Sequence, residues 1–274
     1  MFKLNAKNFF ASTATLAVAL GTVAIAPQSA TAQATFDTSD DNNHKLCDYR
    51  ADCSLESLLD GIITSGDIDT VGDQSAVELF MPNASSSFTS NLMFEVAGNA
   101  DFNEFGIYKK GSPGTKITLF DGAATPSSEA PFPNSATLLF AGNGVAKYND
   151  TVYNDFGNEF GFFLKTKSNK YFYTEDALNE NGNKQSVVYQ GDGSVDLQIP
   201  FGAGPGNFDG DDWIIGFEDL SLDNSISDSD YNDFVILVSD LEAADIPEPA
   251  TLAGLGLVAA AMAILRRRQN KKNS

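Results

Sequence analysis

The residues that decide how this chain folds are Trp213-Ile214-Ile215-Gly216-Phe217-Glu218-Asp219-Leu220 and, a short way on, Asp228-Ser229-Asp230-Tyr231-Asn232-Asp233-Phe234-Val235-Ile236-Leu237-Val238. Each segment joins a short, almost continuous apolar run to a set of carboxylates. Runs of this length, rich in β-branched and aromatic residues and bounded by Asp, Asn and Ser, read as two strands. Between them Glu218, Asp219, Asp223, Asp228, Asp230 and Asp233 fall within sixteen residues, and no Lys, Arg or His occurs from Gln185 to Ile246. Two carboxylates about 4 Å apart repel by roughly 4 kcal/mol at the effective dielectric of a protein surface. A fold that gathers them must raise their pKa values or hold a cation among them. Asp, Glu, Asn and backbone carbonyl offer oxygen alone, the ligand set of calcium rather than of zinc or copper. Glu218, Asp219, Asp228, Asp230, Asn232 and Asp233 are therefore the expected Ca2+ ligands. Asp228, Asp230 and Asn232 repeat the start of an EF-hand loop. The match stops there, with Asp233 in place of its glycine, Ser239 in place of its last glutamate and a strand pattern where a helix should follow. The expectation is a calcium-stapled β-turn, against the competing reading of a solvated acidic loop.

Outward from this pair the chain repeats short apolar segments separated by Gly, Asn, Asp and Pro, among them Val77–Met81, Asn91–Ala97, Phe105–Tyr108, Phe160–Thr166 and Ser186–Gln190. About a dozen such strands with hairpin-length links predict an all-β domain, an antiparallel, jelly-roll-like β-sandwich over residues 54–243. One short helix precedes it: Leu55, Leu58, Leu59 and Ile62 follow helical spacing, with Ser54 as N-cap and Gly61 near the end. Phe208, Trp213, Phe217, Tyr231 and Phe234 read as core or rim aromatics in preference to an exposed sugar-stacking platform. Asn103-Glu104-Phe105-Gly106 recurs as Asn158-Glu159-Phe160-Gly161, which reads as two equivalent hairpins with a glycine where the strand bends or meets another backbone.

The ends have a different character. Lys3 and Lys7 precede the uncharged apolar stretch Phe9 to Ala26, and Ala30-Thr31-Ala32 offers a small-x-small cleavage site, so residues 1–32 read as a secretory signal peptide. An acidic leader, 33–53, carries Cys47 and Cys53, expected as a small disulfide loop in an exported chain. At the other end Pro247-Glu248-Pro249 precedes the apolar run 250–265, then Arg266, Arg267 and Arg268. As a helix that run of 16 residues spans about 24 Å, short of a bilayer core of about 30 Å, and its basic end would stay cytoplasmic. Residues 246–272 closely resemble the PEP-CTERM sorting signal of exported bacterial proteins. The resemblance implies recognition by an exosortase at the inner membrane, processing near Pro247-Glu248-Pro249, and release toward the cell surface or an extracellular polysaccharide matrix. Residues 244–274 are thus a sorting tail that holds the chain at the membrane before processing.

Without the two ends the chain carries 10 Lys and Arg against 36 Asp and Glu, a net charge near −26. That argues against nucleic acid and anionic membrane surfaces as partners and favours cations. The order of Phe94-Glu95-Val96-Ala97-Gly98, Phe160-Gly161-Phe162-Phe163-Leu164, Phe217-Glu218-Asp219-Leu220 and Asp228-Ser229-Asp230-Tyr231-Asn232-Asp233 also resembles an uncharacterised secreted bacterial domain without assigned activity. Members of that family carry Arg or Lys inside the last motif, where this chain has Ser229. The departure removes an internal counter-charge and strengthens the need for a metal.

Three functions compete on this reading. One is a non-enzymatic surface or matrix protein with a calcium-stabilised β-domain. The second is a module binding extracellular polysaccharide, which needs Trp213 or Tyr231 exposed near the acidic loop. The third, least favoured, is a glycoside hydrolase drawing its two carboxylates from Glu95, Glu104, Glu159 and Glu218. A serine triad is disfavoured because the sole histidine, His44, lies in the leader.

Overall fold

The computed structural model describes residue 34 and residues 54–95, 102–122, 135–198, 205–223, 227 and 229–244. The expected signal peptide, Cys47 with Cys53, and the sorting tail from residue 245 with its apolar run 250–265 lie outside the described residues. Among the described residues no helix is long and apolar enough to cross a membrane.

One short helix, α1 (Leu55–Asp60), precedes β1 (Ile63–Ser65), β2 (Phe80–Pro82), β3 (Ser87–Phe94), β4 (Glu104–Lys109), β5 (Ser112–Phe120), β6 (Ser135–Phe140), β7 (Ala146–Tyr148) and β8 (Thr151–Tyr153). The chain continues through β9 (Phe160–Lys165), β10 (Tyr171–Tyr173), β11 (Ser186–Gln190), β12 (Asp196–Gln198), β13 (Pro205–Asn207), β14 (Trp213–Phe217), β15 (Phe234–Ser239) and β16 (Leu241–Ala243). A seven-stranded sheet runs β11-β14-β15-β3-β6-β7-β8, a six-stranded sheet runs β16-β2-β9-β4-β5 with β10 on β9, and a three-stranded sheet runs β1-β12-β13. Their pairings are antiparallel.

The two larger sheets meet through aromatic rings. Phe80 of β2 stands edge-on to Trp213 of β14 at 5.2 Å, Phe160 of β9 stacks on Phe88 of β3 at 5.2 Å, and Phe105 of β4 stacks on Phe234 of β15 at 5.3 Å. Phe162 touches four of these rings, those of Phe80, Phe88, Phe105 and Phe160. Burying each such side chain stabilises by roughly 1.5–3 kcal/mol, and each ring pair adds about 0.5–1.5 kcal/mol.

A two-layer sandwich is the sequence expectation, and the structure adds a third layer. The outer face of β11, β14 and β15, carrying Val187, Tyr189, Ile214, Val235 and Leu237, packs against Leu55 and Leu59 of α1 and Leu197 of β12. Every residue of β14 is buried, as are the first five of β15. Coverage of both faces is why these two runs are continuously apolar instead of alternating. Helix α1 forms as read, with Ser54 Oγ accepting from Ser57 N at 3.3 Å and Leu55, Leu58 and Leu59 buried.

Element bounds differ from the apolar pattern where polar residues alternate or strands are very short. β3 starts at Ser87, ahead of the expected Asn91, because Phe88 and Ser90 point inward between outward Ser87, Thr89 and Asn91. The repeated Asn-Glu-aromatic-Gly segments open neighbouring strands: β4 and β9 pair along their length, and each continues into its own hairpin, β4 into β5 and β9 into β10. A Cβ at Gly106 would meet Ile117 O at 2.1 Å and one at Gly161 would meet Tyr108 Oη at 2.2 Å, so each glycine admits a close neighbour. The ion pairs Glu104–Lys165 and Glu159–Lys110 join the two copies reciprocally at opposite ends of this ladder.

Phe162→Ala should destabilise the purified protein by about 3–5 kcal/mol, whereas Leu139→Ala, on an exposed position, should change it by less than about 0.5 kcal/mol. Urea denaturation followed by circular dichroism measures both.

Candidate metal centre

Strand pairing explains why carboxylates far apart in sequence meet. Phe217 and Phe234 face each other at the end of the β14–β15 ladder. The next residues outward, Glu218-Asp219 and Asp233, must then lie side by side. Asp219 N donates to Asp233 Oδ2 at 2.7 Å, which fixes the junction. Glu218 is fully buried and Asp219 nearly so, while Asp233 and Asp230 are half-buried. Burial, then the charges of Asp219 and Glu218, drive Asp233 from its ordinary 3.8 up to about 10, against the lowering effect of the Asp219 N–H bond; Asp230 adds a smaller upward push. The side-chain charges acting on Asp233 are thus of one sign.

The connection between the strands is held by its own hydrogen bonds. Asn232 is buried and donates its backbone N–H to Asp230 Oδ1 at 3.3 Å and its side-chain amide to Asp230 Oδ2. Gln185 clasps the loop from β11, donating to Leu220 O and accepting from Leu222 N, both at 2.9 Å. Ser229 and Tyr231 have φ of 53° and 55°, a left-handed conformation costly for residues with side chains. The Tyr231 hydroxyl donates to Lys184 O at 2.9 Å, anchoring this strained turn, and burial with the nearby Glu218 charge raises its pKa.

Strand pairing thus brings Glu218, Asp219 and Asp233 to one end of the β14–β15 pair, with Asp230 and Asn232 bonded to each other on the connection that follows. Asp228 lies outside the described residues. Asp223 takes no part: it is exposed and accepts from Asn181 Nδ2 at 2.8 Å. A sixth group comes from a residue that sequence reasoning did not assign to the site. Asn103, just ahead of β4, is 1% exposed and its Nδ2 donates to Asp219 Oδ2 at 3.2 Å. Its Oδ1 is buried with no hydrogen-bond partner, an omission that ordinarily costs about 1–3 kcal/mol. The oxygens that these side chains offer are hard donors, the ligand type of Ca2+.

Other sites are less favourable. Trp213 and Tyr231 are 0% and 1% exposed, so neither can stack on a sugar as the polysaccharide reading required. Glu104 and Glu159 are committed to cross-strand lysines. Among the described residues Glu56, Asp60 and Asp67 are the one set of three carboxylates with oxygens within 4.8 Å of one another, but Asp60 and Asp67 are exposed and Glu56 already accepts from Thr70 N at 3.0 Å. Glu78 is pushed up to about 7 by burial and then by Asp176, with weaker opposing effects from a backbone hydrogen bond and Lys184.

Comparison with known proteins bears on the C-terminal end. Residues 245–268 match the PEP-CTERM protein-sorting motif. This sorting motif marks the chain as an exported substrate of exosortase-type machinery, one that passes through the membrane. No curated protein and no solved structure matches the chain.

Because the folded state holds a proton on Asp233 that the unfolded chain releases near pH 3.8, its contribution to stability is complete below that pH and is lost as pH rises through about 10. The metal-free protein should therefore weaken steadily from about pH 5 to about pH 9. Asp233→Asn should flatten that slope, as read from urea midpoints across the range.

Proposed function

We propose that this chain is a non-catalytic, exosortase-sorted protein of the cell surface or extracellular matrix, built on a β-sandwich that Ca2+ stabilises. The observation that carries the reading is the gathering of Glu218, Asp219 and Asp233 at the end of the β14–β15 pair, with burial and the like charges of Asp219, Glu218 and Asp230 together pushing Asp233 up to about 10. A divalent cation would replace the proton there and turn mutual repulsion into attraction. Glu218, Asp219, Asp230, Asn232 and Asp233 would hold the ion, joined by Asp228. The sorting motif supports export, and millimolar calcium outside the cell suits a site of this kind. The ion's role is structural: it binds the folded domain and adds its binding free energy to folding.

Calcium at about 100 times its Kd adds about 2.7 kcal/mol, which for a domain of this size raises Tm by roughly 5–11 °C. Scanning calorimetry with chelator and with calcium measures it; the shift should vanish in Asp230→Asn/Asp233→Asn, and an unshifted wild-type protein would remove the calcium site. For the sorting reading, intact mass of the exported protein should show Arg266, Arg267 and Arg268 removed. Replacement of Pro247-Glu248-Pro249 by alanines should retain the full tail at the membrane, and a released, uncut product would contradict processing.

A further inference from the structure

We infer that Asn103 is itself a ligand of this centre, so that the ion sits between the two large sheets and ties one to the other. The inference rests on the calcium reading above and adds a residue and a mechanical consequence to it. Asn103 opens β4 of the six-stranded sheet, whereas Glu218, Asp219 and Asp233 flank β14 and β15 of the seven-stranded sheet. The bond from Asn103 Nδ2 to Asp219 Oδ2, 3.2 Å long, therefore bridges two sheets across 116 residues of sequence.

The orientation of the amide is determined by its neighbour. Turned over, it would set a carbonyl oxygen against the Asp219 carboxylate, acceptor against acceptor. As oriented, Nδ2 takes the carboxylate and Oδ1 remains, buried on the same terminal carbon and without a donor. A buried amide oxygen on a side chain that already holds the Asp219 carboxylate is matched by a cation, and side-chain amide carbonyls are ordinary Ca2+ ligands. The matching asparagine of the repeated segment, Asn158, is exposed, so the shared motif alone does not require burial of this side chain.

A neutral ligand from the opposite sheet has two effects. It completes the oxygen shell without adding to the negative charge already gathered there. It also makes ion binding depend on both sheets being in place, so that calcium clamps this end of the sandwich in addition to stiffening one hairpin.

The test is calcium titration of the purified full-length protein by calorimetry, comparing wild type with Asn103→Leu and Asn103→Asp. Asn103→Leu, similar in size and without oxygen, should bind calcium at least tenfold more weakly. Equal affinity in Asn103→Leu, even with a lower metal-free melting temperature, would reduce Asn103 to a packing residue and overturn the inference while leaving the calcium reading intact. Absence of calcium binding by the wild type would overturn both. If Asn103→Leu does not fold, Asn103→Asp decides: it keeps an oxygen and adds charge, so tighter binding supports the ligand role and unchanged or weaker binding overturns it.

Discussion

The structure depends on one conflict, between strands that must be buried and carboxylates that must not be buried alone. β14 and β15 are enclosed on both faces, with aromatic rings of the six-stranded sheet on one and α1 with the small sheet on the other. Hydrophobic burial of that pair is the driving force for the fold. Because the strands are antiparallel and joined by residues 218–233, pairing them unavoidably draws the ends of the connection together. Every residue that helps β14 and β15 pair also presses Glu218, Asp219 and Asp233 against one another.

Two devices soften the conflict within the protein. Backbone and side-chain N–H groups are aimed at the carboxylates, from Asp219 N to Asp233 and from Asn103 and Asn232 to Asp219 and Asp230. The strained turn at Ser229 and Tyr231, pinned by the Tyr231 hydroxyl and by Gln185, keeps Asp230 in the cluster. Neither device supplies positive charge, and the proton that Asp233 holds until about pH 10 removes one negative charge without neutralising its neighbours. A cation would do the same work at the pH where the carboxylates ionise.

How much of this is legible in sequence follows from the length and enclosure of each element. The two central strands stand out because enclosure on both faces demands continuous apolar runs. β1, β8, β13 and β16 do not: each has three residues, β1 and β8 are mostly exposed, β16 buries Leu241 alone, and β13 contains Pro205 and Gly206, tolerable because it is the edge of its sheet. The third layer was hidden for the same reason, although α1 was plain from its leucine spacing. Glu218, Asp219 and Asp233 could be placed together from sequence because a hairpin brings its own ends together. Asn103 could not, since its relation to Asp219 exists only after two sheets pack. Its one trace is the Asn-Glu repeat, and that repeat could not say which of Asn103 and Asn158 faces the acidic junction.

The same geometry bears on when the proposed ion could act. Its ligands come from the ends of two strands that pair locally and, through Asn103, from a strand belonging to the other sheet. An unfolded chain offers scattered carboxylates but no enclosed junction, so a structural ion would favour the packed state over the open one. Pairing of β14 with β15 buries apolar side chains, whereas the contact of Asn103 with Asp219 exists only where the six-stranded sheet is in place. The proposed ion would therefore depend on both sheets being packed.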